Sequence, residues 1–189
     1  MQTTLRQYTN TSGQLEYTYD IRYRNVKYSR IEVKPGVVKV VVPSGEDPEK
    51  IIEKHRGWLD KKMRLLRDAL TDAEGREMSS RDDTEFRYLV TALAAEISGE
   101  MKVGFNRLYF REMTQKWASC SSKGNLTFNT MLKHLPERLL EYIVFHEIAH
   151  LIELNHDRKF WKLISDRFAE YKQIEKELFG YWLLIQDMK

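Results

Sequence analysis

Eleven residues, His146-Glu147-Ile148-Ala149-His150-Leu151-Ile152-Glu153-Leu154-Asn155-His156, constrain this chain more than any other stretch. They hold three of its five histidines and contain the pattern H-E-x-x-H. Positions i and i+4 share one face of a helix, so a helix here would point His146 and His150 the same way. Two imidazoles on one face can bind one zinc ion, and the glutamate between them can reach a water on that ion. A third protein ligand would leave the fourth position open, the layout of a catalytic rather than a closed structural site.

The surroundings favour that helix. Pro136 suits a helix start, Glu137 sits where the dipole favours an acid, and the pattern runs on to Leu154. Leu139, Leu140, Ile143, Val144, Ile148, Leu151 and Ile152 make a broad apolar surface, which predicts a largely buried helix. Buried histidines and a buried glutamate need partners, and a metal ion supplies them. The bland alternative is a pair of satisfied core histidines. Two residues compete for third ligand. Asn155 can take the left-handed conformation that ends a helix, and the chain would then turn and present His156. Glu153 lies three residues after His150 on the same face. The neutral imidazole, a common zinc ligand, favours His156, and Glu153 would then orient a ligand imidazole through its other nitrogen. Asp157 would cap a following helix, Arg158 to about Phe168, with Phe160, Trp161, Ile164 and Phe168 at helical spacing.

At 189 residues the chain can build one good core and at most two small units. No apolar run approaches the ~20 residues needed to cross a membrane. Met1 to Asn10 contains no apolar signal-peptide core, and the single cysteine precludes an intrachain disulfide, so a cytoplasmic location is expected. Residues 15–42 read as strands, with Tyr17, Tyr19, Ile21 and Tyr23 alternating with polar residues. Ile31 and Val33 lead through Lys34-Pro35-Gly36 into Val37–Val42, a hairpin within a small antiparallel sheet. Asp47-Pro48 opens a long helix whose stripe is Ile51, Ile52, His55, Trp58, Leu59, Met63, Leu66 and Leu70. The polar stretch 71–81 is the natural linker between residues 1–75 and 76–189. A second helix runs from about Asp82 to Ser98. Strands follow at Leu108–Phe110, Lys116–Ser121 and Asn125–Asn129, the last two joined by a turn at Ser122-Lys123-Gly124-Asn125. Their edge would lie beside the metal helix, where an extended peptide could add. A final helix spans Glu170 to about Met188.

Net charge is +3 and the pI is about 8.8, short of a strong nucleic-acid footprint. Basic residues nevertheless gather at Arg22, Arg24, Lys27, Arg30, Lys34 and Lys39, interleaved with Tyr17, Tyr19, Tyr23 and Tyr28. A solvated sheet face is the plain reading; weak binding to a phosphate backbone through Arg22, Arg24, Lys27 and Arg30 is the functional one.

Several of these residues match a known family. Lys116-Trp117-Ala118-Ser119-Cys120 is similar to an R-W-G-S-C motif. Gly124-Asn125, Asn129, the helix after Pro136, His146-Glu147-x-x-His150, and Asn155-His156 followed by Phe160-Trp161 complete the match. The chain resembles the YgjP-like metallopeptidases, relatives of the SprT-like and WLM zinc proteases. The resemblance implies an α+β fold with a zincin-like core, its H-E-x-x-H helix beside a small antiparallel sheet, preceded by an N-terminal sheet and long helix. It implies one zinc ion on His146, His150 and His156, Glu147 as general base, and protein or peptide substrates. Lys116 replaces the usual arginine, Ala118 the usual glycine and Asp157 the usual serine. Lys116 and Asn129 are further candidates for contact with substrate or with the ligands, and Tyr109 and Tyr142 for stabilising an oxyanion. Two other functions remain open: hydrolysis of another substrate such as a nucleotide phosphoanhydride, and a protease acting on DNA-bound proteins. Cys120 reads first as a small packed residue, then as a lining residue or a blocking ligand. The sequence leaves the oligomeric state undetermined.

Overall fold

The computed structural model describes residues 3–9, 16–34 and 37–187. The chain divides into two units, Met1–Glu74 and Gly75–Lys189. In the first, strands β1 (Thr3–Thr9), β2 (Glu16–Arg24), β3 (Arg30–Lys34) and β4 (Val37–Pro43) form one sheet in the order β1-β2-β4-β3. The β3–β4 hairpin is there, although the expected Pro35-Gly36 turn lies outside the described residues. The sheet is mixed, not antiparallel as expected, because β4 runs parallel to β2. The cause is composition. Val38, Val40, Val41 and Val42 are all fully buried, and such a continuous apolar run belongs in a central strand covered on both faces. β3, exposed at both ends, takes the edge instead. Strand β1 had no clear alternation to announce it.

Helix α1 (Pro48–Ala73) starts where Asp47 accepts a 3.0 Å hydrogen bond from the Glu49 N–H. Its buried line is Ile52, Leu59, Met63, Leu66, Ala69 and Ala73, narrower than the expected stripe. Trp58 is half exposed, and the exposed His55 ring bonds the Ile51 carbonyl through Nδ1 at 2.8 Å. Both flank the inward line rather than sit on it.

The second unit opens with α2 (Asp83–Glu100), fixed by a reciprocal capping box between Asp82 and Glu85. Strands β5 (Arg107–Arg111), β6 (Ala118–Cys120) and β7 (Asn125–Asn129) form a sheet in the order β5-β7-β6. This sheet too is mixed rather than antiparallel: β5 is parallel to β7 and β6 is antiparallel to it. Again the strand with fully buried residues, Leu126 and Phe128, takes the middle. Gly124 turns the β6–β7 hairpin at φ 71°, a conformation that favours glycine. A 3₁₀ turn at Thr130–His134 leads to α3 (Glu137–Ala149), then α4 (Arg158–Arg167) and α5 (Tyr171–Asp187). Phe86 and Val90 of α2, Phe128 of β7, Leu140 and Val144 of α3, Phe160 and Ile164 of α4 and Ile174 of α5 share one core. Helix α3 is shorter than the pattern to Leu154 suggested. Leu151 and Ile152 instead bond back to Ile148 and Ala149 in a closing turn, and Asn155 does not adopt the left-handed conformation.

Candidate active site

Helix α3 is amphipathic in an unusual sense: its polar line, His146, Glu147 and His150, faces a recess rather than open solvent. His150 caps the helix with helical φ and ψ, so the i, i+4 relation survives and the two rings lie 5.1 Å apart. The turn that closes the helix brings the Glu153 carbonyl 3.1 Å from His150 Nδ1. A carbonyl only accepts, so Nδ1 carries the proton and Nε2 keeps its lone pair. Glu153 therefore orients His150 through its backbone, not through its carboxylate as the sequence suggested.

His156 arrives from the loop before α4. Asp157 caps that helix by accepting from the N–H groups of Lys159 and Phe160 at 2.8 and 3.2 Å. The cap fixes Phe160, which is fully buried and floors the recess. It stacks on His150 at 4.5 Å and meets His146 and His156 edge-on at 4.9 and 4.7 Å. Trp161 holds the loop from the other side. Its Nε1–H donates to the His156 carbonyl at 3.1 Å, and its ring lies between His156 and Tyr171 in near-parallel stacks. The role of Phe160 and Trp161 was invisible in sequence, where both are ordinary apolar positions of α4.

The result is a cluster of three imidazoles with ligand nitrogens all within 4.8 Å of one another, His146 Nε2 and His156 Nε2 being 2.9 Å apart. Among the described residues no other such group of histidine, cysteine and carboxylate atoms occurs; neither Glu153 nor Cys120 joins it. Burial, then the neighbouring rings, push His146 down to about 3, and burial lowers His150 as well. Neutral imidazoles are what a metal requires. Small ring rotations would let one ion with bonds of ~2.0–2.1 Å touch all three.

Glu147 lies beside them, only 6% exposed, with Oε2 lacking a hydrogen-bond partner. Burial raises its pKa to about 8, against the opposing pull of the Lys116 ammonium and the Cys120 backbone N–H. An orphaned buried carboxylate oxygen beside three neutral nitrogens fits a bound cation and its water. In the metal-free protein the same group carries a stability signature. Between its ordinary pKa of 4.5 and about 8 the folded state holds a proton that the unfolded state has lost. Stability contributed by Glu147 is therefore present at pH 4.5 and lost as pH rises through 8. Metal-free Glu147→Gln is expected to melt at the same temperature as metal-free wild type near pH 4.5 and measurably higher at pH 8.5. Parallel melting curves across that range would refute the assignment.

Asn129 is fully buried and spends every hydrogen bond internally. Its amide donates to the carbonyls of Met113 and Lys116 at 2.7 and 2.9 Å, and its oxygen accepts from the N–H groups of Met113 and Met131. It latches the 113–117 loop and has nothing left for a substrate. Asn129→Ala strands those backbone groups, and a loss of about 2–4 kcal/mol in urea unfolding is expected. Tyr142 is likewise buried, its hydroxyl donating to Glu175 at 3.0 Å, so it cannot serve an oxyanion. Tyr109 and Lys116, by contrast, line an open groove with Cys120. Burial, and next Glu147, push the Cys120 thiol up to about 11, leaving it protonated and inert at neutral pH.

The N-terminal cations are largely engaged with one another's neighbours. Arg22 pairs with Asp20 at 2.7 Å, Arg30 with Glu32 at 2.9 Å, and Lys39 lies 3.9 Å from Glu32. Arg24 is half-buried, and Lys27 sits over the ring of Tyr28.

A helix that offers two histidines and a buried glutamate, with a third histidine folded back onto them, belongs with the metallopeptidases among hydrolases. Residues 83–180, just over half of the chain, match the family model described as YgjP-like, metallopeptidase domain, and the protein belongs to that family. The chain is 35% identical over 54 residues to a UTP pyrophosphatase of Escherichia coli (strain K12); the stretch is 29% of this chain and 32% of that protein, so the chain matches about a third of that relative's length. Two solved structures are also similar. The metallopeptidase zymogen abylysin of Pyrococcus abyssi is 24% identical, with 47% of this chain and 90% of that one covered at a TM-score of 0.44. The zymogen jannalysin of Methanocaldococcus jannaschii is 28% identical, with 53% and 90% covered at 0.43.

Proposed function

We propose that the unit Gly75–Lys189 is a zinc-dependent endopeptidase domain in which His146, His150 and His156 hold the ion and Glu147 is the general base. The observation that carries this reading is the convergence of three neutral imidazole nitrogens beside a buried carboxylate with an unpartnered oxygen. A zinc ion there would supply Lewis acidity toward a water and a substrate carbonyl. The rest is done by the chain. Glu147 takes the proton of the attacking water and passes it to the leaving amine, helped by a pKa set near neutrality rather than at 4.5. Lys116, whose charge already acts on Glu147, faces the negative charge that develops at the carbonyl oxygen. Phe160 keeps the floor dry, and Asn129 fixes the loop that carries Lys116.

Strand β6 supports a peptide substrate. It is a sheet edge. Trp117 and Ser121 bond to β7, so by alternation Ala118 and Cys120 turn their backbone groups away from the ladder. The Cys120 N–H reaches Glu147, which places an extendable edge beside the base. The likeness to a UTP pyrophosphatase keeps a nucleotide phosphoanhydride as the second reading. No observation favours DNA, since the cations that suggested it are mostly paired. No helix among the described residues is long and apolar enough to cross a membrane. The deciding experiment offers the zinc-loaded protein a mixed peptide library and, separately, UTP. Peptide fragments with intact UTP support the endopeptidase; pyrophosphate release with intact peptides replaces it with the second reading.

A further inference from the structure

The outward face of the β5-β7-β6 sheet is chemically one-sided. Alternation along β5 turns Leu108 and Phe110 to the core and leaves Arg107, Tyr109 and Arg111 outside. On the partner strands Asn125, Thr127 and Ser119 share that outer face. Together with Lys116 from the preceding loop they shape a groove of about 560 Å³. Two cations line it, Arg111 and Lys116, and no carboxylate does. Both cations are exposed, and neither has an ion-pair partner among the described residues. That is unusual in a chain whose other surface arginines, such as Arg22, Arg138 and Arg167, are paired with acids. The groove also ends at the reaction centre, because Lys116 and Cys120 line it and both act on Glu147.

We infer that this groove is a specificity subsite for an acidic side chain of the substrate, with Arg111 as its specificity-determining residue. The inference rests on the endopeptidase reading. A peptide laid along β6 would send side chains across the outer sheet face. A carboxylate there gains two unpaired cations and the hydroxyls of Ser119 and Thr127, whereas a lysine meets like charge. Arg111 offers a planar fork suited to a carboxylate; Lys116 contributes a point charge nearer the scissile bond.

The test separates binding from turnover. Fluorescent peptides identical but for one Glu, Gln or Lys are titrated into zinc-loaded Glu147→Gln protein, and their cleavage by wild type is followed in parallel. The Glu peptide is expected to bind roughly fivefold to tenfold more tightly than the Gln peptide, with the Lys peptide weakest and the preference shrinking as salt rises. Arg111→Gln should collapse the Glu-to-Gln ratio toward one, and Arg111→Lys should restore part of it. Equal binding of the three peptides overturns the inference while leaving the peptidase reading to the cleavage arm. A ratio that persists in Arg111→Gln overturns it equally. If no peptide binds but UTP does, and Arg111→Gln weakens that binding, the groove takes phosphate rather than an acidic side chain, and both readings fall together.

Discussion

Glu147→Gln is expected to keep its metal and lose peptide hydrolysis by about 10³-fold or more. The substitution is nearly isosteric, and the side chain contributes no ligand atom to the cluster of His146, His150 and His156. Metal content should therefore stay at the wild-type level. What disappears is the proton acceptor. A positioned general base is worth roughly 10²–10⁴-fold, and here the same group must also return the proton to the leaving amine, so the upper half of that range applies. The carboxylate is the right one for the task because burial has lifted its pKa to about 8, close to working pH, while Lys116 keeps the lift from going further. Initial rates on a cleaved peptide, beside metal analysis of the same samples, decide the matter. Turnover within tenfold of wild type at full metal occupancy would remove Glu147 from the mechanism.

The chemistry of this site was legible early because it is local. H-E-x-x-H fixes its own geometry once a helix forms, and Asp157 announces the helix that follows. The third histidine was harder. The sequence offered Glu153 and His156 as rivals, and the choice turned on where α3 stops. Because the helix ends at Ala149, Glu153 enters a closing turn, where its carbonyl rather than its carboxylate meets His150. Strand order was not legible for a related reason. Val38 to Val42 and Leu126 to Phe128 reveal burial but not which neighbour covers them, and both sheets insert their most apolar strand between two earlier ones. Asn129 carried a family-like position but no sign of its four internal bonds. Arg111 was missed because its meaning lies in what is absent around it, a carboxylate partner, and pairing across strands cannot be counted along a chain.

Removing His156 should empty the metal site, and removing the Glu153 carboxylate should not. His156→Ala takes one of three neutral donors, leaving two nitrogens on α3 that sit on one side of the recess. The loss of affinity should go well beyond the ~10–100-fold that an outer partner is worth, so the protein purified without added metal should contain almost none. Glu153→Ala leaves the backbone carbonyl that accepts from His150 Nδ1 in place, and metal content should match wild type. Trp161→Phe falls between these limits. It keeps the ring that stacks on His156 but loses the Nε1–H that anchors the His156 carbonyl, so affinity should fall within the ~10–100-fold range without the site being lost. Competition against a zinc chelator, read on all three variants, ranks them directly. An emptied Glu153→Ala protein beside a fully loaded His156→Ala protein would exchange the two residues as third ligand. The His156 loop, with its Asp157 cap, Phe160 floor and Trp161 anchor, would then be a structure built around the wrong atom.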